Sequence, residues 1–392
     1  VTDLFNPTPE HRALRELVRS FAEREVDPQA EASDHAERFN IALFRRLGEL
    51  GLLGITVEER FGGSGLDAVA AVIAHEEISA ADPGLGLAFL AHSMLFANNL
   101  QVNGSDAQRA KYLPSASAGD KVCGMCMSEP SAGTDVLGMQ TSAVRRGDVY
   151  VLNGAKMWIT NGAVSDSELG DVFLVYARME GQGRNQLSMF IVEKGFRGFS
   201  LGQKIKGKLG MRASMTAELV FEDCEVPVEN LVGEEGTATL HMMRNLEIER
   251  LTLAAMSLGI ARRSLEVMNR YANERSSFGK PLREFGQIQR YIAQSYAEFM
   301  AGRTYTYYTA ATMSLETPGQ RLDTDGVKLF TSTMGKDIAD RAIQVLGGYG
   351  YVSEYGVERL WRDAKLLEIG GGTLEAHQKN MCRELGRTER IL

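Results

Sequence analysis

The segment Cys126-Met127-Ser128-Glu129-Pro130-Ser131-Ala132-Gly133-Thr134-Asp135-Val136-Leu137-Gly138 separates two regions of different texture. It joins hydroxyl side chains to a turn-forming proline and to glycines that let backbone amides approach a ligand. Such a loop suits a phosphate or a flat ring. On composition alone it reads equally as a polar turn between strands. What lies on either side decides the fold class.

Upstream the pattern is helical from Thr8, which can cap, through Pro9 in the first turn and Glu10 facing the helix dipole. Leu14, Leu17, Val18 and Phe21 form one apolar stripe and the stretch from Ile41 to Leu53 another; Gly62, Gly63 and Gly65 precede a third helix after Asp67. Downstream come short β-like runs, Val149 to Leu152, Val172 to Tyr176, Met189 to Val192 and Glu218 to Phe221. Long amphipathic stretches then return at 242–272, 285–312 and 323–346, with a last one from Gly372. The order predicts a mainly α chain with a central β-domain, in three parts: 1–122 helical, 123–237 sheet, 238–392 a helical bundle. No internal repeat interrupts it.

Composition agrees with a chain of this kind. At about 150 residues per domain, 392 residues make two or three domains. Acidic residues outnumber basic ones 51 to 43, so the surface as a whole repels polyanions and no nucleic-acid partner is expected. No apolar run approaches the roughly 20 residues of a membrane span, and no signal-peptide core opens the chain, which predicts a soluble intracellular protein. Four cysteines are too few for a disulfide framework, and the isolated pair Cys123 and Cys126 reads as buried small hydrophobes. No metal site is expected.

Familiar catalytic motifs fail. Gly202 to Leu209 approaches a phosphate loop but lacks its hydroxyl residue, and His75-Glu76 lacks the second histidine of a zinc helix. There is no G-x-G-x-x-G after a strand and no serine elbow.

The segment from Cys126 to Gly138 does resemble, position for position, the first signature of the acyl-CoA dehydrogenase family. A second signature of that family is matched by Gln344-Val345-Leu346-Gly347-Gly348-Tyr349-Gly350-Tyr351 and continues through Glu354, Arg359 and Asp363. Lys156-Met157-Trp158-Ile159-Thr160-Asn161-Gly162, Gly210 to Ser214, Arg275 to Lys280 and Arg362 to Lys365 extend the resemblance over nearly the whole chain. It implies a helical domain, a β-barrel domain and a C-terminal four-helix bundle, FAD as cofactor, an acyl-CoA substrate, electron-transfer flavoprotein as electron acceptor and a homotetramer. The compartment implied is the mitochondrial matrix or the bacterial cytoplasm. An acyl-CoA oxidase on the same fold is the alternative activity.

By the same resemblance the flavin ring would meet Met125, Met127, Ser128, Trp158 and Thr160, with Thr134 and Thr373 as further cofactor contacts. Arg275, Ser277, Phe278, Gln344, Gly347 and Gly348 would hold the adenosine and pyrophosphate of FAD bound mainly by a neighbouring subunit. Read without the family, Trp158 and Thr160 are one face of a strand, and Arg275 is a surface cation.

The reaction needs a carboxylate base. Many family members carry it in a Glu-Gly-Thr triplet, but here Gly370-Gly371-Gly372-Thr373 has Gly371 at that position. One branch of the family has its base at the position of Glu249, in Leu246-Glu247-Ile248-Glu249-Arg250-Leu251. Helical spacing supports this independently, because Leu246, Leu253 and Met256 at i−3, i+4 and i+7 put Glu249 on an apolar stripe. Burial there should raise its pKa and make it a better base. Pairing with a basic neighbour is the plainer reading of Glu249.

The Gly371 amide matches the family's donor to the thioester oxygen. Arg250, Gly370, Phe89, Leu90, Met94 and Leu95 are expected at the substrate, the last four equally readable as core. The glycines at 370–372 predict space for a branch near C3, and the wording of several segments is most like the isovaleryl-CoA branch of the family. A longer or terpenoid-like acyl group is the alternative, since Gly371 replaces a usual alanine. Gly286, in place of a usual glutamine, puts one cofactor contact in doubt.

Overall fold

The computed structural model describes residues 3–387 apart from 182, 316, 318 and 320; residues 1–2 and 388–392 of the expected first and third parts lie outside it. The chain begins with helices α1 (Pro9–Phe21), α2 (Asp27–His35), α3 (Ile41–Glu49), α4 (Ala68–Ala81), α5 (Pro83–Leu90), α6 (Asn99–Asn103) and α7 (Asp106–Ser117). Thr8 caps α1 by accepting from the His11 N–H at 3.3 Å, and Asp67 caps α4 by accepting from Ala70 at 2.9 Å. Every residue of α4 is buried, so it is an interior helix rather than an amphipathic one. Ala22–Val26 and Ala91–Asn98 wind as π-helix, a form found often at functional sites.

The middle of the chain supplies β1 (Cys123–Cys126), β2 (Ser142–Arg146), β3 (Val149–Thr160), β4 (Val172–Met179), β5 (Leu187–Glu193), β6 (Phe199–Lys204), β7 (Thr216–Pro227) and β8 (Leu231–Val232). They pair in the order β6-β7-β3-β2-β4-β5-β8, with β1 parallel to β4. The expected order of helical part, β-domain and helical part is present. β6 and β8 stand at the two ends of the strand path, with no pairing between them among the described residues, and β8 (Leu231–Val232) pairs with β5.

Beyond the sheet lie α8 (Ala238–Glu274), the small hairpin β9 (Ser276–Ser277) and β10 (Lys280–Pro281), then α9 (Gly286–Thr312), α10 (Arg321–Leu346), α11 (Gly348–Tyr351), α12 (Val357–Leu367) and α13 (Leu374–Leu385). Three long helices pack together, and the fourth place of the expected bundle is shared by the shorter α12 and α13, both against α10. Helix α8 is central: Asn245 to Ala261 are buried without a break, between α4 on one side and α10 on the other.

One apolar core draws residues from all three parts. Buried polar ties reinforce it. Arg15 reaches Glu77 at 2.6 Å and Glu76 at 3.2 Å, while Arg262 reaches Glu77 at 2.6 Å, joining α1, α4 and α8. The Met211 N–H donates to Asp363 at 2.5 Å, joining the sheet region to α12. Among the described residues no helix is long and apolar enough to cross a membrane.

Candidate active site

Helix α8 carries Glu249 into the interior. Its side chain belongs to a residue only 7% exposed, and Oε2 has no hydrogen-bond partner among the described residues. Burial pushes its pKa up to about 7, against the opposing pull of Arg250 and Lys328. The charged form is therefore costly but attainable near neutrality.

Facing it is the turn between α12 and α13. The Gly370 N–H bonds to Leu366 O at 2.7 Å, after which Gly371 and Gly372 take φ of +67° and +102°. A Cβ on Gly371 would stand 3.4 Å from Glu249 Oε1 and would overlap Leu253 Cδ1. The α8 carboxylate thus lies in contact range of the point where a side chain at 371 would begin. Nothing among the described residues accepts the Gly371 N–H.

One expectation needs correction here. The space beside the glycines is not simply open: Leu253 and Glu249 fill it at Gly371, the His377 ring lies 3.0 Å from a Cβ on Gly372, and only Gly370 has ordinary room. Arg250, expected at the substrate, follows Glu249 on α8 and pairs with Asp325 at 3.2 Å. A buried guanidinium needs a counter-charge, and Asp325 supplies it.

On the sheet side, β3 breaks register between Lys156 and Ile159, and Trp158 at this bulge takes a φ of +65°. A bulky residue rarely holds that conformation without a purpose. The bulge turns the indole outward, leaving Trp158 61% exposed. Met127 and Ser128 are half-buried, with Ser128 O accepting from the Met157 N–H at 2.9 Å. Beneath them the buried Lys156 donates to Met127 O at 3.1 Å and Glu129 at 2.9 Å. The same Glu129 accepts from the amides of Gln140 at 2.6 Å and Thr141 at 2.9 Å, so the loop is tied down at both ends. Met125 reaches toward the α8 side: Asn99 Nδ2 lies 3.7 Å from its sulfur and 3.2 Å from the Tyr176 hydroxyl, whose ionisation is resisted by burial and by nearby Glu249.

Family models for acyl-CoA dehydrogenases match almost all of this chain: the N-terminal domain over residues 8–120, the middle domain over 124–224 and the C-terminal domain over 239–386. The chain belongs to the acyl-CoA dehydrogenase family. It is a flavin-dependent acyl-CoA dehydrogenase with FAD as cofactor. It is 42% identical over 98% of its length, and 93% of the relative's, to a mitochondrial isovaleryl-CoA dehydrogenase of Oryza sativa subsp. japonica. Butyryl-CoA dehydrogenase from Megasphaera elsdenii superposes with a TM-score of 0.91 at 34% identity, covering 99% of both chains. A chain solved in work on the electron transferring flavoprotein of Acidaminococcus fermentans superposes at 0.92 with 36% identity, covering 97% of this chain and 99% of that one.

The residues present fit a flavin of this acyl-CoA dehydrogenase. An exposed indole on a bulge offers a flat apolar face, the half-buried Thr160 and Ser128 offer hydroxyls beside it, and exposed Thr134 follows on the tethered loop. Thr373 caps α13, accepting from Ala376 at 3.3 Å.

The other expected cofactor residues are not brought to this place. Arg275, Ser277 and Phe278 follow the far end of α8, and the 26 helical steps from Glu249 to Arg275 span about 39 Å. They gather instead with the α10–α11 junction: Arg275 lies over Tyr349 at 5.9 Å, Phe278 is 94% exposed, and Gln344, Gly347 and Gly348 are exposed beside them. Gly286 opens α9 into free space. Phe89, Leu90 and Met94 are enclosed in the core, Phe89 stacked on His75 at 4.2 Å; only Leu95 is half-buried. A nearby cleft is lined by Asn98, Asn245, Ile248 and Met313.

Sequence reasoning missed Tyr176, Asn99, Lys328, Asp325 and His377. The i, i+3 spacing of Asp325 and Lys328 was visible, but such pairs commonly lie on solvated helix faces. Cys123 and Cys126 are buried on β1 and burial pushes both thiols up, which agrees with their reading as small hydrophobes.

Proposed function

We propose that this dehydrogenase oxidises a short branched-chain acyl-CoA, isovaleryl-CoA to 3-methylcrotonyl-CoA, with Glu249 as the base. The observation that carries the base assignment is the 3.4 Å approach of Glu249 Oε1 to the side-chain position of Gly371. Glu249 takes the α-proton, and the Gly371 N–H donates to the thioester oxygen, where negative charge develops. FAD, when bound, supplies the acceptor for the β-hydride. Trp158 and the segment Met125–Ser128 flank the ring, with Ser128 and Thr160 as hydroxyl donors and Thr134 and Thr373 toward the rest of the cofactor. Gly370 and Leu95 border the acyl group.

Burial of Glu249 sharpens this chemistry. Its raised pKa means that it binds the abstracted proton more strongly than an exposed carboxylate would, so transfer is less uphill. Leu253, one turn along the same helix, packs with it against Gly371.

The identity to the rice enzyme supports the branched substrate. The remote cluster of Arg275, Ser277, Phe278, Gln344, Gly347 and Gly348 supports a homotetramer in which these residues complete the cofactor site of another subunit. Electrons pass to electron-transfer flavoprotein in this reading, supported by the Acidaminococcus likeness. The matched segments support division of the chain after 122 and 237, and the relatives support a matrix or bacterial cytoplasmic setting.

Anaerobic bleaching of the flavin band by isovaleryl-, isobutyryl-, butyryl-, octanoyl- and citronellyl-CoA tests the assignment. Isovaleryl-CoA should reduce the flavin fastest. Faster reduction by citronellyl- or butyryl-CoA would reassign the substrate, and rapid reoxidation by oxygen would make the enzyme an oxidase.

A further inference from the structure

Behind the Gly370–Thr373 turn lies a buried polar cluster that the roles above leave unused. Lys328 Nζ donates to Gly372 O at 2.7 Å, and His377 Nε2 lies 3.0 Å from the same oxygen. His377 Nδ1 is 2.5 Å from Asp325 Oδ1, and Asp325 also holds Arg250, the neighbour of Glu249. Lys328, Asp325 and His377 are each 0% exposed.

Such burial is expensive, since an ammonium loses its hydration and recovers it only through well-placed partners. Two of the three side chains here converge on one backbone carbonyl. An imidazole placed between a carboxylate and a carbonyl satisfies both only when both ring nitrogens carry protons. Burial lowers the His377 pKa while its bond to Asp325 opposes the fall; in the neutral ring, with the Nδ1 proton toward Asp325, Lys328 alone would hold the Gly372 carbonyl, so His377 adds its donor through the protonated fraction that Asp325 sustains.

Given Glu249 as the base, on which this inference rests, we propose that Lys328 and the His377–Asp325 pair are positioning residues for the dehydrogenation. They pin the turn immediately beyond Gly371, and so hold its N–H opposite Glu249, while the Lys328 cation faces the Glu249 carboxylate from α10. Arg250 on α8 and Lys328 on α10 act on that carboxylate directly, and Tyr176 on β4 feels its charge; around them, Glu247, Arg321 and Asp325 act on Arg250, Asp325 and Glu368 on Lys328, and Asp325 on His377. Burial pushes Lys328 down to about 7, the range of Glu249, so the two groups titrate as a coupled set rather than singly.

The test uses purified holoenzyme, isovaleryl-CoA and single-turnover flavin bleaching across pH, with flavin content and thermal melting measured on each variant. Lys328→Met should slow bleaching per bound flavin at pH 7 by about tenfold and move the acidic limb of the rate upward by about one pH unit, because a cation favouring the ionised base is gone. His377→Leu should slow bleaching, and His377→Gln, which keeps a donor for the Gly372 carbonyl, should recover most of the rate. Unchanged rate per flavin and an unmoved limb in Lys328→Met, or equal rates in the two His377 variants, overturn the proposal. Should Lys328→Met fail to fold, the His377 pair decides. Glu249→Gln run alongside separates the two readings: if it still bleaches, the base assignment fails whatever Lys328 and His377 do.

Discussion

Glu249 Oε1 lies 3.4 Å from the point at which a side chain on Gly371 would begin. The α8 carboxylate therefore sits in contact range of the bare backbone at 371, while Leu253 Cδ1 occupies the place of a Cβ there. If Glu249 is the base, Glu249→Gln should keep FAD and bind acyl-CoA while losing about 10²–10⁴ in the rate of anaerobic bleaching, the usual worth of a positioned base. Stopped-flow absorbance reads this directly. A variant bleaching at the parental rate would move the base elsewhere.

Acidity follows from burial. The Glu249 pKa stands at about 7 against an ordinary 4.5, so the free enzyme should show kcat/KM rising with pH and levelling above about 7. The sign for stability is opposite: a group whose folded pKa is raised favours folding while protonated, and that contribution declines as pH rises from 4.5 through 7. Glu249→Gln should thus remove part of the fall in melting temperature between pH 5 and pH 8, by an amount corresponding to a few kcal/mol. Melting curves of the two proteins that stay parallel across this range would contradict the shift.

Gly371 has a left-handed φ of +67° and Leu253 against its missing side chain. Restoring a glutamate there does not simply move the base back. In a Glu249→Gln background, Gly371→Glu should recover less than a hundredth of the parental bleaching rate, because the new side chain must displace Leu253 and strain the backbone by about 1 kcal/mol. Adding Leu253→Ala should improve recovery by making room. Substantial recovery without that third change would mean the turn is softer than its packing implies.

Much of this arrangement was legible in one dimension. Thr8 and Asp67 announced their helices because capping is local chemistry, and Glu249 lay on an apolar stripe because helical spacing is local too. What spacing could not give was the meeting of α8, α10 and α13 around the 370–373 turn. Asp325 and His377 look like ordinary surface residues until three helices enclose them. The glycine run by itself implies open space, whereas Leu253, distant in sequence, occupies the side-chain position at Gly371. Phe89 and Leu95 share a segment but not an environment: Phe89 lies on α5, whereas Leu95 lies in the π-helix Ala91–Asn98, which periodicity does not reveal.

The flavin-side loop depends on a charge that periodicity places inside a strand. Lys156 is buried, donates to Met127 O at 3.1 Å and pairs with Glu129 at 2.9 Å, while Glu129 collects the Gln140 and Thr141 amides. Lys156→Met would leave that carboxylate buried without a counter-charge, which costs about 3–5 kcal/mol. The loss should fall on the loop carrying Met127, Ser128 and Thr134, so the purified variant should hold less than half its FAD by the ratio of flavin to protein absorbance and melt at a lower temperature. Adding Glu129→Gln removes the unpaired charge and should restore part of the melting temperature. If Lys156→Met instead retains full flavin and parental stability, the loop is held by its backbone alone and the buried pair is dispensable.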